Sequence, residues 1–159
     1  MTEATIPDGA RRVAARLAEL GHPHEIVLLP VTGRTAADAA AALGVELGQI
    51  AKSIVFRRLS DDAAVLVVTS GDLRVDVAKV SGLVGPVGRA DAEFVKAATG
   101  FSIGGVSPVG HSRPPVILVD RELARFDRIW AAAGHPHAVF PLSPDELVEL
   151  TGAPVAEVA

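Results

Sequence analysis

Apolar residues Val13, Leu17 and Leu20 recur at three- and four-residue intervals, the spacing that puts them on one face of a helix. Asp8 stands where it can cap that helix, and Gly21 where it can end it. Residues 24–29 (His-Glu-Ile-Val-Leu-Leu) then read as a strand closed by Pro30, and Thr35 is placed to cap an alanine-rich helix over 36–43, stopped by Gly44. Two apolar runs, 51–57 and 63–69, flank the turn residues Ser60-Asp61-Asp62 and predict a β-hairpin. Short helices are predicted over 75–82 and 91–98, on either side of a brief strand near Val87. The β-branched run from Pro115 to Val119 predicts a strand, as do Ile129–Ala133 and Ala138–Phe140. Ser143-Pro144-Asp145-Glu146 opens a last helix with a cap, an N1 proline and first-turn acids, and Gly152 ends it.

Helices and strands alternate without a regular βαβ period, so the expected fold is α+β, a mixed and largely antiparallel sheet wrapped by helices. At 159 residues and 49% hydrophobic content the chain is expected to form a single domain with one real core. One segment fits neither periodicity. Residues 100–110 (Gly-Phe-Ser-Ile-Gly-Gly-Val-Ser-Pro-Val-Gly) hold four glycines and a proline in eleven positions. Such a stretch shapes backbone, because glycine lets a ligand approach peptide groups closely and proline fixes φ and removes a donor. It predicts a pocket wall.

Composition narrows the function classes. The chain carries 15 basic against 19 acidic residues, a net charge of −4, which gives no sign of a protein that coats DNA or a membrane surface. The absence of cysteine removes disulfides, a thiolate nucleophile and cysteine-ligated metal, and fits a cytoplasmic location. The first residues lack the basic-then-apolar pattern of an export signal, and no run of about 18 apolar residues occurs. Aromatic residues are 4% of the chain, too few for a base-stacking platform.

Several residues invite chemistry. Gly-His-Pro-His occurs at 21–24 and again at 134–137, and two His-x-His pairs could chelate a metal. No Asp or Glu stands in a metal-site spacing, and the central proline favours a turn into a strand, so neither metal nor cofactor is expected. Ser107 sits among glycines, yet Gly105-Val-Ser107-Pro-Val-Gly110 is one residue too long for a nucleophile elbow. Pro108 also lacks the N–H that the residue after such a nucleophile donates to the oxyanion. A hydroxyl that satisfies a turn is the plain alternative. No dinucleotide or P-loop pattern follows Gly104-Gly105. Lys52 lies at the polar edge of the apolar run Ala51-Lys52-Ser53-Ile54-Val55-Phe56, either as an exposed edge residue or as a cation at a pocket mouth.

Two segments together resemble a known family. Leu43-Gly44-Val45-Glu46-Leu47-Gly48-Gln49-Ile50-Ala51-Lys52-Ser53-Ile54-Val55 is similar to the lysine-bearing segment of the YbaK and prolyl-tRNA synthetase-associated editing domains. Residues 100–110 are similar to that family's glycine-rich loop, about fifty residues later. The similarity runs over roughly residues 10–157, and the closing segment 134–140 resembles a free-standing branch.

The resemblance implies hydrolysis of the ester between a wrong amino acid and its tRNA, without metal or protein nucleophile. In that picture Lys52 holds the substrate near its terminal ribose or phosphate, and main-chain groups at Gly104 and Gly105 position the carbonyl and the attacking group. Ser53, Ile103, Ser107, His135 and His137 are the expected substrate contacts. The expected partner is the acceptor end of an aminoacyl-tRNA, with an aminoacyl-tRNA synthetase as a further one. Members acting on cysteinyl-tRNA carry a serine where this chain has Ala132 and a tyrosine near Leu28, which speaks against cysteinyl specificity and leaves the amino acid open, a small one such as alanine or serine being favoured. A non-catalytic module of the same fold is the alternative.

Overall fold

The structure is a computed structural model that describes residues 7–22, 25–29 and 35–159. Among them are five α-helices and eight strands of one mixed sheet. Helix α1 (Asp8–Glu19) buries Ala10, Val13 and Leu17, the stripe its spacing predicts. Pro7 occupies the N-cap without a side-chain hydrogen bond, so Asp8 is the first helical residue rather than the cap. Its carboxylate still sits in the first turn, where the helix dipole favours it. Within the expected strand 24–29, only β1 (Val27–Leu28) pairs; His24 and Pro30 lie outside the described residues.

Helix α2 (Ala36–Leu43) begins as expected, with the Thr35 hydroxyl accepting from the Asp38 N–H at 3.1 Å, and ends at Gly44 in the left-handed region. The predicted hairpin is β2 (Ile50–Arg58) and β3 (Ala64–Ser70), paired without interruption from Ala51 opposite Ser70 to Arg57 opposite Ala64. Then follow α3 (Val77–Val84), β4 (Val87–Arg89) and α4 (Ala92–Thr99), capped by Asp76 and Asp91. After the glycine-rich loop come β5 (Val116–Asp120), β6 (Ile129–His135) and β7 (Ala138–Leu142). Helix α5 (Pro144–Thr151) has the full capping box between Ser143 and Glu146, and β8 (Val155–Ala156) closes the chain. Two short 3-10 turns, Leu47–Gln49 and Arg121–Arg125, and strand β8 carry too few residues to show a period.

The sheet order is β1-β7-β6-β2-β3-β5-β8, with β4 also on β2. Alternation along β2 separates its two faces. Ile50 packs into a cluster with Ala39 and Ala40 of α2, and Phe56 packs against a cluster with Val80 of α3. Ala51 and Val55 face the main core, built from α1, α4, α5 and the loop residues Phe101, Val106 and Val109. Lys52 therefore shares the helix α2 face with Ile50, and Ser53 shares the main-core face.

Candidate active site

One edge of β2 is paired to β3 along almost its whole length, but the other edge is shared. Strand β6 runs parallel to it only at Ile50–Trp130 and Ala51–Ala131, and β4 pairs antiparallel only from Phe56 to Arg58. Between these two ladders, residues 52–55 face a split in the sheet. Strand β6 turns away at a bulge between Ala132 and His135, where Gly134 takes φ +87° and meets Gly9 of α1 main chain to main chain. A cleft of about 420 Å³ opens at the split. Because it passes through the sheet, it is lined from both faces: Ile50, Lys52 and Trp130 beside α2 on one side, Ser53, Val55 and Val106 on the other.

Lys52 is the one charged side chain in the lining among the described residues. Partial burial holds its ammonium below the usual lysine value; the positive charge of Arg74 lowers it further and Asp72 offsets part of the fall. Asp72 is itself held by Arg125, with N···O distances of 2.9 and 3.3 Å, which keeps its carboxyl below the usual range.

The glycine-rich segment leaves α4 through Gly100 at φ +81° and is pinned by Phe101, Val106 and Val109 in the core. Its exposed tip is Ser102-Ile103-Gly104, of which Ile103 (55% exposed) and Gly104 line the cleft. Gly104 adopts φ +89°, a conformation that favours glycine. Gly105 is buried, and its N–H already donates to the Ser102 carbonyl at 3.0 Å. Ser107 is fully buried; its hydroxyl accepts from the Val109 N–H at 3.1 Å, and its carbonyl accepts from His111 Nε2 at 2.6 Å. Both sit behind the cleft wall rather than on it.

Of the closing turn, Pro136 lines the cleft and the flanking histidine rings do not. His135 Nδ1 accepts from the His137 N–H at 3.1 Å, and the rings meet edge-on at 5.1 Å. Burial and the neighbouring His137 lower the His135 pKa. In the other histidine pair, His22 lies 3.7 Å from Glu146, and His24 lies outside the described residues. No group of three His, Asp or Glu able to hold a metal occurs among the described residues, nor is any described helix long and apolar enough to cross a membrane.

The structure thus brings Lys52, Ser53, Ile103 and Gly104 to one cleft and places Gly105, Ser107, His135 and His137 in the layer supporting it. The sequence reading missed Trp130, Pro136, Val55, Val95 and Val106, whose apolar character gave no signal apart from the core. Among the described residues, two buried side-chain polar atoms, Ser53 Oγ and Trp130 Nε1, lack a hydrogen-bond partner, and both residues line the cleft. Ala132 also lines it, whereas Leu28 packs against the main core.

The fold recurs in known proteins. Bacillus subtilis YwhH, an uncharacterized protein, is 30% identical over 142 residues, 89% of this chain and 90% of that protein. The Enterococcus faecalis protein named "Putative Cys-tRNA(Pro)/Cys-tRNA(Cys) deacylase EbsC" is 27% identical over 126 residues, covering 78% and 76% of the two chains. The crystal structure of "a putative trans-editing enzyme for prolyl tRNA synthetase" superposes with a TM-score of 0.91 at 44% identity, over 97% of this chain and 98% of that one. Residues 31–150 match the profile of the family described as the aminoacyl-tRNA editing domain, a span that contains both Lys52 and the glycine-rich loop. The chain belongs to the aminoacyl-tRNA editing domain family.

Proposed function

We propose that this protein is a free-standing aminoacyl-tRNA deacylase that clears a small amino acid from a mischarged tRNA. The observation that carries the reading is the cleft at the split in the sheet: apolar, small, and with Lys52 as its charged lining residue. A cleft of about 420 Å³ accommodates an aminoacyl group and part of a terminal ribose, while Ala51, Ala90 and Ala132 leave room for a short side chain. Lys52 at its polar edge is placed to meet a ribose oxygen or the terminal phosphate. Only the acceptor end need enter, which accords with the −4 net charge of a protein that handles RNA.

The reaction breaks the ester C–O bond. The oxygen of water, or of a substrate hydroxyl, adds to the carbonyl carbon, and a proton passes to the departing ribose oxygen. No carboxylate or imidazole lines the cleft among the described residues, and the Ser107 hydroxyl is committed to Val109. The protein's contribution is then positioning and main-chain donors held ready for the developing oxyanion, not a protein base. Gly104 at the loop tip and Ser53 on β2 supply such groups, and Ile103 shields the mouth.

A deacylation panel tests this: alanyl-, seryl-, threonyl- and cysteinyl-tRNA, each on its own tRNA and on proline tRNA. Release above the buffer rate for at least one, lost in Lys52→Ala, is expected. Release no faster than buffer for all of them, with binding retained, would instead identify a non-catalytic module.

A further inference from the structure

The split edge of β2 carries a specific pattern of main-chain groups. In an antiparallel strand, successive residues turn their N–H and C=O to opposite edges. The Arg58 N–H bonds the Ala63 carbonyl at 2.9 Å, toward β3, and the Leu59 N–H bonds the Pro86 carbonyl at 2.9 Å, toward β4. The β2–β3 register is unbroken back to Ala51, so the alternation holds along the strand. Lys52 and Ile54 therefore address β3, while Ser53 and Val55 address the other edge. On that edge the β6 ladder has stopped at Ala51 and the β4 ladder begins at Phe56. The N–H groups of Ser53 and Val55 consequently face the cleft without a strand partner among the described residues. Unpaired main-chain donors in a partly buried wall are rare in folded proteins. Ser53 Oγ, beside them, has no partner either.

An aminoacyl ester carries an α-ammonium and a carbonyl on one residue, the two groups that a directly opposed residue exchanges with its neighbour in an antiparallel pair. We infer that the aminoacyl group binds as a one-residue strand on the open edge of β2, its carbonyl accepting from the Ser53 N–H and its α-ammonium donating to the Ser53 carbonyl. This rests on the deacylase reading for the identity of the ligand, but the open edge does not. It is strand addition on the scale of a single residue.

Two consequences follow from the geometry. No carboxylate lines the cleft among the described residues, so a main-chain carbonyl meets the ammonium. Opposed residues in a sheet send their side chains to the same face, so an L-aminoacyl side chain enters the wall that Ser53 shares with Val55, Val95 and Val106. Lys52, on the opposite face of β2, is left to the nucleotide. The Ser53 N–H also gains strength as the carbonyl oxygen becomes an oxyanion, making it a catalytic donor.

Amide hydrogen exchange by NMR on the full chain tests the inference directly. In the free protein, the Ser53 and Val55 amides should exchange about tenfold or more faster than those of Lys52 and Ile54. Addition of the non-hydrolysable probe 3′-alanylamido-3′-deoxyadenosine should slow Ser53 by about the same factor, and a propionyl probe lacking the α-amine should bind about tenfold more weakly. Ser53→Ala, which keeps the main chain, should retain the protection at position 53. Protection of Ser53 and Val55 equal to their neighbours in the free protein overturns the open edge, whatever the tRNA panel shows. Probe-induced shifts in the cleft without slowing at residue 53 overturn the pairing, as does an open edge that the probe leaves untouched. The panel reports separately on deacylation.

Discussion

The main chain of Gly105 packs directly on that of His135, so closely that a Cβ at position 105 would lie 2.7 Å from the His135 carbonyl carbon and 2.8 Å from the Pro136 nitrogen. The glycine-rich loop and the β6–β7 turn are thereby joined as one wall, with Gly104 and Pro136 presented to the cleft. The two adjacent glycines do different work. Gly105 permits a close approach, and Gly104 supplies a left-handed φ in open space, its nearest neighbour being Pro136 Cγ at 4.0 Å.

Replacing each by alanine should separate these roles. Gly105→Ala forces backbone against backbone and should lower stability by about 2–4 kcal/mol, whereas Gly104→Ala carries only the left-handed penalty of about 1–2 kcal/mol. Denaturant unfolding of both variants checks the order. Equal losses would mean the wall yields where the packing says it cannot.

Lys52→Ala should lower kcat/KM for deacylation by about a hundredfold, the scale of losing a contact that positions the substrate for attack, while the midpoint of unfolding stays near wild type. The pH profile adds a sharper test. Burial and Arg74 lower the Lys52 pKa, so its positive charge is lost as pH rises, at a pH below the ordinary lysine value of 10.5. The enzyme-dependent rate should fall on that alkaline limb. Arg74→Gln removes the repulsive neighbour and should move the fall to higher pH; a profile indifferent to Arg74 contradicts the arrangement.

His111 is half-buried against Phe101, and its Nε2 donates to the Ser107 carbonyl, tying the end of the glycine-rich loop. Burial lowers its pKa, with the nearby Arg12 acting the same way and the bond to Ser107 opposing. A histidine with a depressed folded pKa leaves the unfolded chain binding more protons, so stability rises with pH through that interval. The contribution is present above the ordinary value of 6.5 and is lost as pH falls below it toward the folded pKa. Melting temperature should drop over that window, and His111→Gln, which retains a donor, should flatten the slope.

Ser53→Ala removes a hydroxyl that is buried and without a partner in the free protein. Stability should be unchanged or rise by up to about 1 kcal/mol, because no hydrogen bond is lost and a desolvated polar group disappears. Thermal unfolding without substrate measures it, and a loss above about 1 kcal/mol would show that the hydroxyl has a structural partner.

Local signals in the chain determined the elements. The Val13-Leu17 stripe, the Thr35 and Ser143 caps, the left-handed glycines after α2 and α5, and the hairpin turn at Ser60-Asp61-Asp62 each act within a few residues, which is why they are legible in one dimension. Lys52 and the loop 100–110 were legible as candidates for the same reason, their composition being at odds with their surroundings. What only the tertiary structure decided is which of these face a ligand. Gly105 and Ser107 differ from Gly104 and Ile103 not in type but in which side of the loop the core claims, and Trp130, Val95 and Val106 read simply as apolar residues. The cleft itself has no sequence signature, since it arises where β6 and β4, from distant parts of the chain, share one edge of β2 and leave residues 52–55 between them.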